Sequence, residues 1–194
     1  MLVSVSELTV MKYYELGLDR KISGTTIYAN NYEYSYVRAD LNGLVRYGEN
    51  GTTTGVSKID DRYLGKGLLQ KAFTGAQSNL IQVTAVDNSA ITTGSSSNSY
   101  YCDNTNDKIF LLSYQELTNT NYFSDDKARI KYPTDYARAI GAYSNTPGGV
   151  RGYLARSPNA DSATNALFVD GDGRMYYSFV HSSGYVVPAL FLSI

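Results

Sequence analysis

From Gly152 to the end of the chain, short apolar runs alternate with turn residues at close spacing. The runs are Gly152–Arg156, Ala166–Val169, Met175–Val180 and Tyr185–Ile194. Between them stand Pro158-Asn159, Asp170-Gly171-Asp172-Gly173 and Ser182-Ser183-Gly184. Runs this short, punctuated by Gly, Asp, Asn and Pro, make strands joined by tight turns and leave no room for helices. An antiparallel β meander is therefore expected there, with Asp-Gly as its strongest hairpin signal.

Before residue 141 the pattern differs. Residues 1–14 predict a strand or two ending at Tyr13-Tyr14. Val37, Leu41 and Leu44 recur at i, i+4 and i+7, one face of a helix that Ser35 would cap. Leu64, Leu68, Leu69 and Ala72 predict a second helix, which Gly65 and Gly67 weaken. Leu80–Val86 alternates, with Ile81, Val83 and Ala85 on one face of a strand. Ile109–Leu112 reads as a short buried strand. Ser113 with Glu116 forms a capping box. Ser124-Asp125-Asp126 opens another short helix, and Thr134–Ile140 makes a third that Gly141 stops. Gly48–Gly55 and Ser89–Asn106 read as loops. The expectation is a single α+β domain over 1–194, with short helices first and a C-terminal antiparallel β meander.

The charge balance narrows the function. Lys plus Arg number 17 and Asp plus Glu 18, a net charge of -1 with no basic stripe, so no nucleic-acid partner is expected. Tyr, Ser, Gly and Asn together make 70 of the 194 residues. Tyr favours strands and Gly, Asn and Ser favour turns, so a β-rich fold accounts for much of this. The same mixture also suits ligand contact, because Tyr is rigid and amphipathic while Ser, Gly and Asn adapt their hydrogen bonds. The longest apolar run, Val186 to Leu192, is short of the ~20 residues needed to span a bilayer, so no membrane insertion is expected. The N-terminal residues lack the basic and apolar regions of a signal peptide.

One Cys (Cys102) and one His (His181) exclude an intrachain disulfide and a Cys/His zinc site. Asp103-Asn104-Thr105-Asn106-Asp107 has the alternating oxygens of a calcium loop but lacks its Gly and its bidentate Glu, so no metal is expected. Asp170-Gly171-Asp172-Gly173 is read as a turn before a cation site. No nucleophile elbow and no phosphate-binding Gly loop occurs; Gly141–Gly149 lacks the required ending. Asp60-Asp61 and Asp125-Asp126 suit helix N-termini better than a glycosidase pair. Arg156-Ser157-Pro158 reads as a structural Arg leaving a buried strand. Neither an enzymatic activity nor a cofactor is expected.

Several segments occur in a telling order: Asp107-Lys108-Ile109-Phe110-Leu111-Leu112-Ser113, Arg156-Ser157-Pro158, Asp170-Gly171 and Pro188-Ala189-Leu190, with Ser35-x-Val37-Arg38-x-x-Leu41-Asn42 and Ala72-Phe73 before them. The order resembles that of an uncharacterised bacterial domain family whose members read D-K-x-F-L-L-S, W-L-R-S-P, D-G and V-R-P-A-L. This chain departs from it where Tyr153, Leu154 and Ala155 stand in place of the Trp segment, and Val187 in place of Arg. The resemblance implies a C-type-lectin-like or formylglycine-generating-enzyme-like fold. It further implies a surface, secreted or phage-associated setting, with some members of the fold class diversified by retroelements. The thiol pairs of the formylglycine-generating enzymes are missing.

These readings point to a non-catalytic module binding a protein or glycan ligand; a structural or assembly domain and an unrecognised hydrolase are the alternatives. The oligomeric state is left open. The ligand-facing segment is expected at Arg174–His181. Alternation would place Tyr176, Ser178 and Val180 on one face and Tyr177, Phe179 and His181 on the other, one of the two covering the core. Tyr153 is expected to extend the patch from the neighbouring strand. The candidate binding residues are thus Tyr153, Arg174, Tyr176, Tyr177, Phe179 and His181.

Overall fold

A computed structural model describes residues 1–14, 16–48, 58–140 and 152–193. The chain opens with three short strands, β1 (Leu2–Val3), β2 (Ser6–Glu7) and β3 (Thr9–Lys12), then a hairpin of β4 (Arg20–Ile22) and β5 (Thr25–Ile27). Ser35 starts α1 (Tyr36–Asn42) as its sequence predicts. Its hydroxyl accepts the Arg38 N–H at 3.2 Å, and Gly43, at φ 67°, ends the helix. The strands β6 (Arg46–Gly48) and β7 (Lys58–Asp60) pair antiparallel, and the expected loop between them lies from residue 49 onward outside the described residues.

The second helix is shorter than its apolar pattern. It is α2 (Leu68–Ala72), and Leu64 sits exposed in the turn before it. Gly67 explains the late start: a Cβ there would come within 2.2 Å of the Gly43 nitrogen, so the chain enters the helix through a close backbone approach. Next comes α3 (Gly75–Leu80), which the sequence reading did not anticipate. It buries no residue and so leaves no apolar period; its signal is the Thr74/Gln77 capping box. The expected strand over Leu80–Val86 shrinks to β8 (Thr84–Val86), with Ile81 buried but Val83 and Ala85 exposed. It pairs with β9 (Thr105–Asp107) after a 3-10 turn at Ala90–Thr93.

Ile109–Leu112 is buried throughout, but only Phe110 makes a β bridge, to Ala189. The three short helices follow as expected. In α4 (Tyr114–Leu117), Ser113 and Glu116 form the reciprocal box; α5 (Asp126–Arg129) is capped by Asp125. After β10 (Tyr132–Pro133), α6 (Asp135–Ala139) is capped by Thr134. Its expected stop at Gly141 lies outside the described residues. Asp60 and Asp61 do not start a helix: Asp60 ends β7, and Arg62 holds its carboxyl down at about 2.

The C-terminal strands are β11 (Tyr153–Pro158), β12 (Asn165–Val169), β13 (Met175–Phe179), β14 (Ser183–Val186) and β15 (Ala189–Leu190). Only the first three form the expected meander. β14 crosses back to lie parallel to β11 and antiparallel to β3, giving a five-stranded sheet in the order β13-β12-β11-β14-β3. β15 leaves that sheet to pair with β1. Ser183-Gly184 is therefore strand rather than turn, and Gly184 is required there because a Cβ would come within 2.8 Å of Leu154 and closer to Phe168.

The sheet lies between two apolar cores. Tyr13, Tyr32, Leu41, Leu111 and Phe168 belong to one; Phe110, Leu117, Tyr153, Leu167 and Val169 belong to the other. All six residues of β11 are buried. Mixed α/β architecture with short helices and several small sheets is the result. Arg156 has the structural role its sequence suggests, donating from a buried position to the Leu111 and Asp87 carbonyls and to Glu116. Asp107, the last oxygen of the calcium-like loop, instead accepts from Arg38 Nε at 2.9 Å and from Thr105. Among the described residues, no three His, Cys, Asp or Glu side chains are grouped to hold a metal, and no helix is long and apolar enough to cross a membrane. The Cys102 thiol is buried and pushed up to about 11 by that burial.

Candidate functional site

β13 is the end strand of the five-stranded sheet, and the turn before it fixes where it lies. Asp170 Oδ1 accepts the N–H of Asp172 at 2.9 Å and of Arg174 at 2.8 Å, closing the Asp-Gly turn that the sequence signals. Gly173, at φ 80°, sits so close to α5 that a Cβ would fall 1.7 Å from the Asp126 carbonyl oxygen. Arg129 Nε donates to the Gly173 carbonyl at 2.9 Å, pinning the turn from the other side. Gly173→Ala is therefore expected to cost about 2–4 kcal/mol, from backbone strain and a clash with main chain. Thermal and urea unfolding measure this; a loss under about 0.5 kcal/mol would show that the turn floats free of α5.

From this anchored start, β13 runs antiparallel to β12 with Tyr176 opposite Phe168 and Tyr177 opposite Leu167. Alternation divides its side chains as expected. Tyr176 leans on Phe168, ring centroids 5.2 Å apart, on the face that ends in the buried Val180. Tyr177 and Phe179 point to the other face, and Phe179 stacks on His181 at 5.3 Å with an interplanar angle of 25°. What differs is the burial. One face was expected to be closed; instead Tyr176, Tyr177 and Phe179 are all exposed, Phe179 by 55%. β12 is sandwiched between both cores, while β13 projects past them, so neither of its faces is sealed.

The residues expected to bind thus separate into three groups. Tyr177, Phe179 and His181 are exposed along one face of the edge strand and its end, and Arg174 is exposed in the turn before it. Tyr176 is exposed on the opposite face. Tyr153 is corrected out of the surface: it is 1% exposed, lies in the centre of the sheet on β11, and donates its hydroxyl to the Arg129 carbonyl at 3.0 Å. Its position next to β12 rather than β13 accounts for this, since β11 has a partner strand on each side.

The patch offers surfaces for contact. Its aromatic rings give apolar faces, and Arg174 has no ion-pair partner among the described residues. The Tyr177 phenol is held above its ordinary 10, first by burial and then by Tyr114 and Asp161 nearby. It therefore remains a neutral hydrogen-bond donor at physiological pH. A second concavity, a groove of about 610 Å³ beside β3 at the far side of the sheet, was not anticipated. Its walls come from segments over a hundred residues apart, as Met11 and Tyr136 illustrate, and no local pattern announces such a meeting.

Residues 10–194 match the model of a family described as Domain of unknown function (DUF6273). No curated protein and no solved structure is matched by the chain. The resemblance read from the sequence is thus met at the level of an uncharacterised domain family, and the match carries no lectin-like, phage or retroelement association.

Proposed function

We propose that this chain, which belongs to the DUF6273 family, is a non-catalytic binding module whose β13 edge recognises a protein or glycan ligand. The observation that carries the reading is the exposure of three aromatic side chains on one anchored end strand. Aromatic residues exposed at 37% to 55% present a large apolar area for a partner to desolvate, and such anchors dominate binding energy. Rigid support from the Asp170 turn keeps the entropic cost of ordering them low. A C-type-lectin-like or formylglycine-generating-enzyme-like fold is part of the same proposal, supported by the order of the sequence motifs from Asp107 to Leu190.

A glycan and protein array probed with the intact chain tests this, followed by single replacement of Tyr177, Phe179 and His181 by Ala. Each variant is expected to lose less than about 1 kcal/mol of stability, as exposed positions do. At least one of the aromatic variants is expected to weaken the ligand found by more than tenfold, as a hot spot would. Ligand binding unchanged by all three, or release of a hydrolysis product from a bound glycan, overturns the proposal. Stable oligomers that dissociate on the same replacements favour an assembly role instead.

A further inference from the structure

At the opposite end of the sheet, β3 pairs with β14 on one side only. Its other edge is closed at both ends by backbone partners. Thr134 N–H donates to the Glu7 carbonyl at 3.0 Å, and Tyr36 N–H donates to the Tyr13 carbonyl at 2.9 Å. On the inner side, the Leu8 and Tyr14 N–H groups donate to Val186 and Val180. Tyr185 donates its N–H to the Gly152 carbonyl on the β11 side, so β14 meets β3 through Val186, paired with Thr9, and Gly184, paired with Met11. The two-residue period then puts the backbone N–H and C=O of Val10 and Lys12 on the outer edge. No ladder partner meets that outer edge among the described residues.

This open span faces the 610 Å³ groove, a volume in the range of ligand clefts, ~300–1,000 Å³. Four consecutive residues, Leu8 to Met11, line it. A strand face would contribute alternate residues, so the groove runs along the strand's edge. Leu68 and Ala72 of α2 form one wall, and Tyr136 of α6, 66% exposed, forms another. The charge within the groove is one-sided. Arg46 forms an ion pair with Asp40 and lies 3.6 Å over the Tyr63 ring, so the one acidic side chain among the groove's described residues is already neutralised. Lys66 and Lys71 are both exposed and have no ion-pair partner among the described residues.

We infer that the outer edge of β3 is a second binding site, taking an extended acidic peptide that adds as a strand beside Val10–Lys12. Backbone hydrogen bonds to Val10 and Lys12 supply register, the apolar floor takes alternate side chains, and Lys66 and Lys71 meet carboxylates on the peptide. The span from Glu7 to Tyr13 has room for about five residues at ~3.3 Å each. This site stands independently of the β13 patch.

The test uses the whole chain and a fluorescein-labelled decapeptide of alternating threonine and glutamate, followed by fluorescence anisotropy. Saturable binding is expected, weakened at least tenfold when alternate peptide amides are N-methylated. A threonine–lysine decapeptide is expected to bind at least tenfold more weakly. The double variant Lys66→Glu, Lys71→Glu should lose at least tenfold while melting within a few degrees of the parent, because both side chains are exposed. Hydrogen exchange is expected to slow at the Val10 and Lys12 amides on binding. Absence of binding at millimolar peptide overturns the inference. So does equal binding of the N-methylated or lysine peptide, protection confined to β13, or a dimer of this chain that occupies the edge and excludes the peptide.

Discussion

Arg156→Ala is expected to lower the unfolding free energy by about 2–4 kcal/mol, the cost of removing a buried arginine from a half-buried carboxylate and two backbone carbonyls. The guanidinium donates to the Leu111 carbonyl at 2.6 Å, to Glu116 Oε2 at 2.5 Å and to the Asp87 carbonyl at 3.1 Å. Glu116 Oε2 in turn accepts the Ser113 N–H at 2.7 Å, so the helix cap and the arginine share one carboxylate oxygen. Truncation would strand two carbonyls and leave Glu116 against a hollow. A lysine has no planar fork to reach both sides, and Arg156→Lys is expected to recover less than half of the loss. Urea unfolding at pH 7 gives both values. A cost below about 1 kcal/mol for the alanine variant would show that these segments hold together without the arginine.

The second large effect is a pH dependence centred on Glu7. Its side chain is fully buried on β2, where the pairing of Glu7 with Pro133 fixes it, and neither carboxylate oxygen has a hydrogen-bond partner among the described residues. Burial pushes its pKa from the ordinary 4.5 up to about 8. Between these values the unfolded chain has released the proton and the folded chain keeps it, so the folded state binds more protons. Stability contributed by this group is thus fully present below pH 4.5 and falls as pH rises towards 8, by up to on the order of 4 kcal/mol. Glu7→Gln removes the titration. The variant is expected to overtake the parent increasingly from pH 5 to 9, and the difference between the two curves isolates Glu7 from every other group. Parallel curves over that range would show that Glu7 is solvated or paired.

Where a single residue dictates local geometry, the sequence reading and the structure agree. Ser35, Ser113 with Glu116, Asp125 and Thr134 each cap the helix they announce, because a cap is a contact over three residues. The Asp170-Gly171 turn is legible for the same reason. Failures arise where partners are distant. Nothing near Ser183 reveals that β14 will lie between β11 and β3, and so the local pattern predicts the fourth strand as the next turn of a meander. The aromatic patch was legible in outline, since alternation sorts Tyr177 and Phe179 correctly, but its burial was not. Exposure of β13 and burial of Tyr153 both follow from strand order, which a two-residue period does not encode. The groove beside β3 was invisible for a like reason: Lys66 and Lys71 read as ordinary surface lysines until Leu8–Met11 is laid beside them.

The pairing of β3 with β14 also sets a timetable. Thr9 is joined to Val186 and Lys12 to Ser183, so β3 acquires its sheet partner only after the long stretch between them has been synthesised. At ~5–20 residues per second, that interval is on the order of 10–30 s. During it Tyr13 and Tyr14, wholly enclosed in the finished fold, remain bare beside a strand with both edges open. The nascent chain therefore carries this apolar segment uncovered while the intervening residues are made.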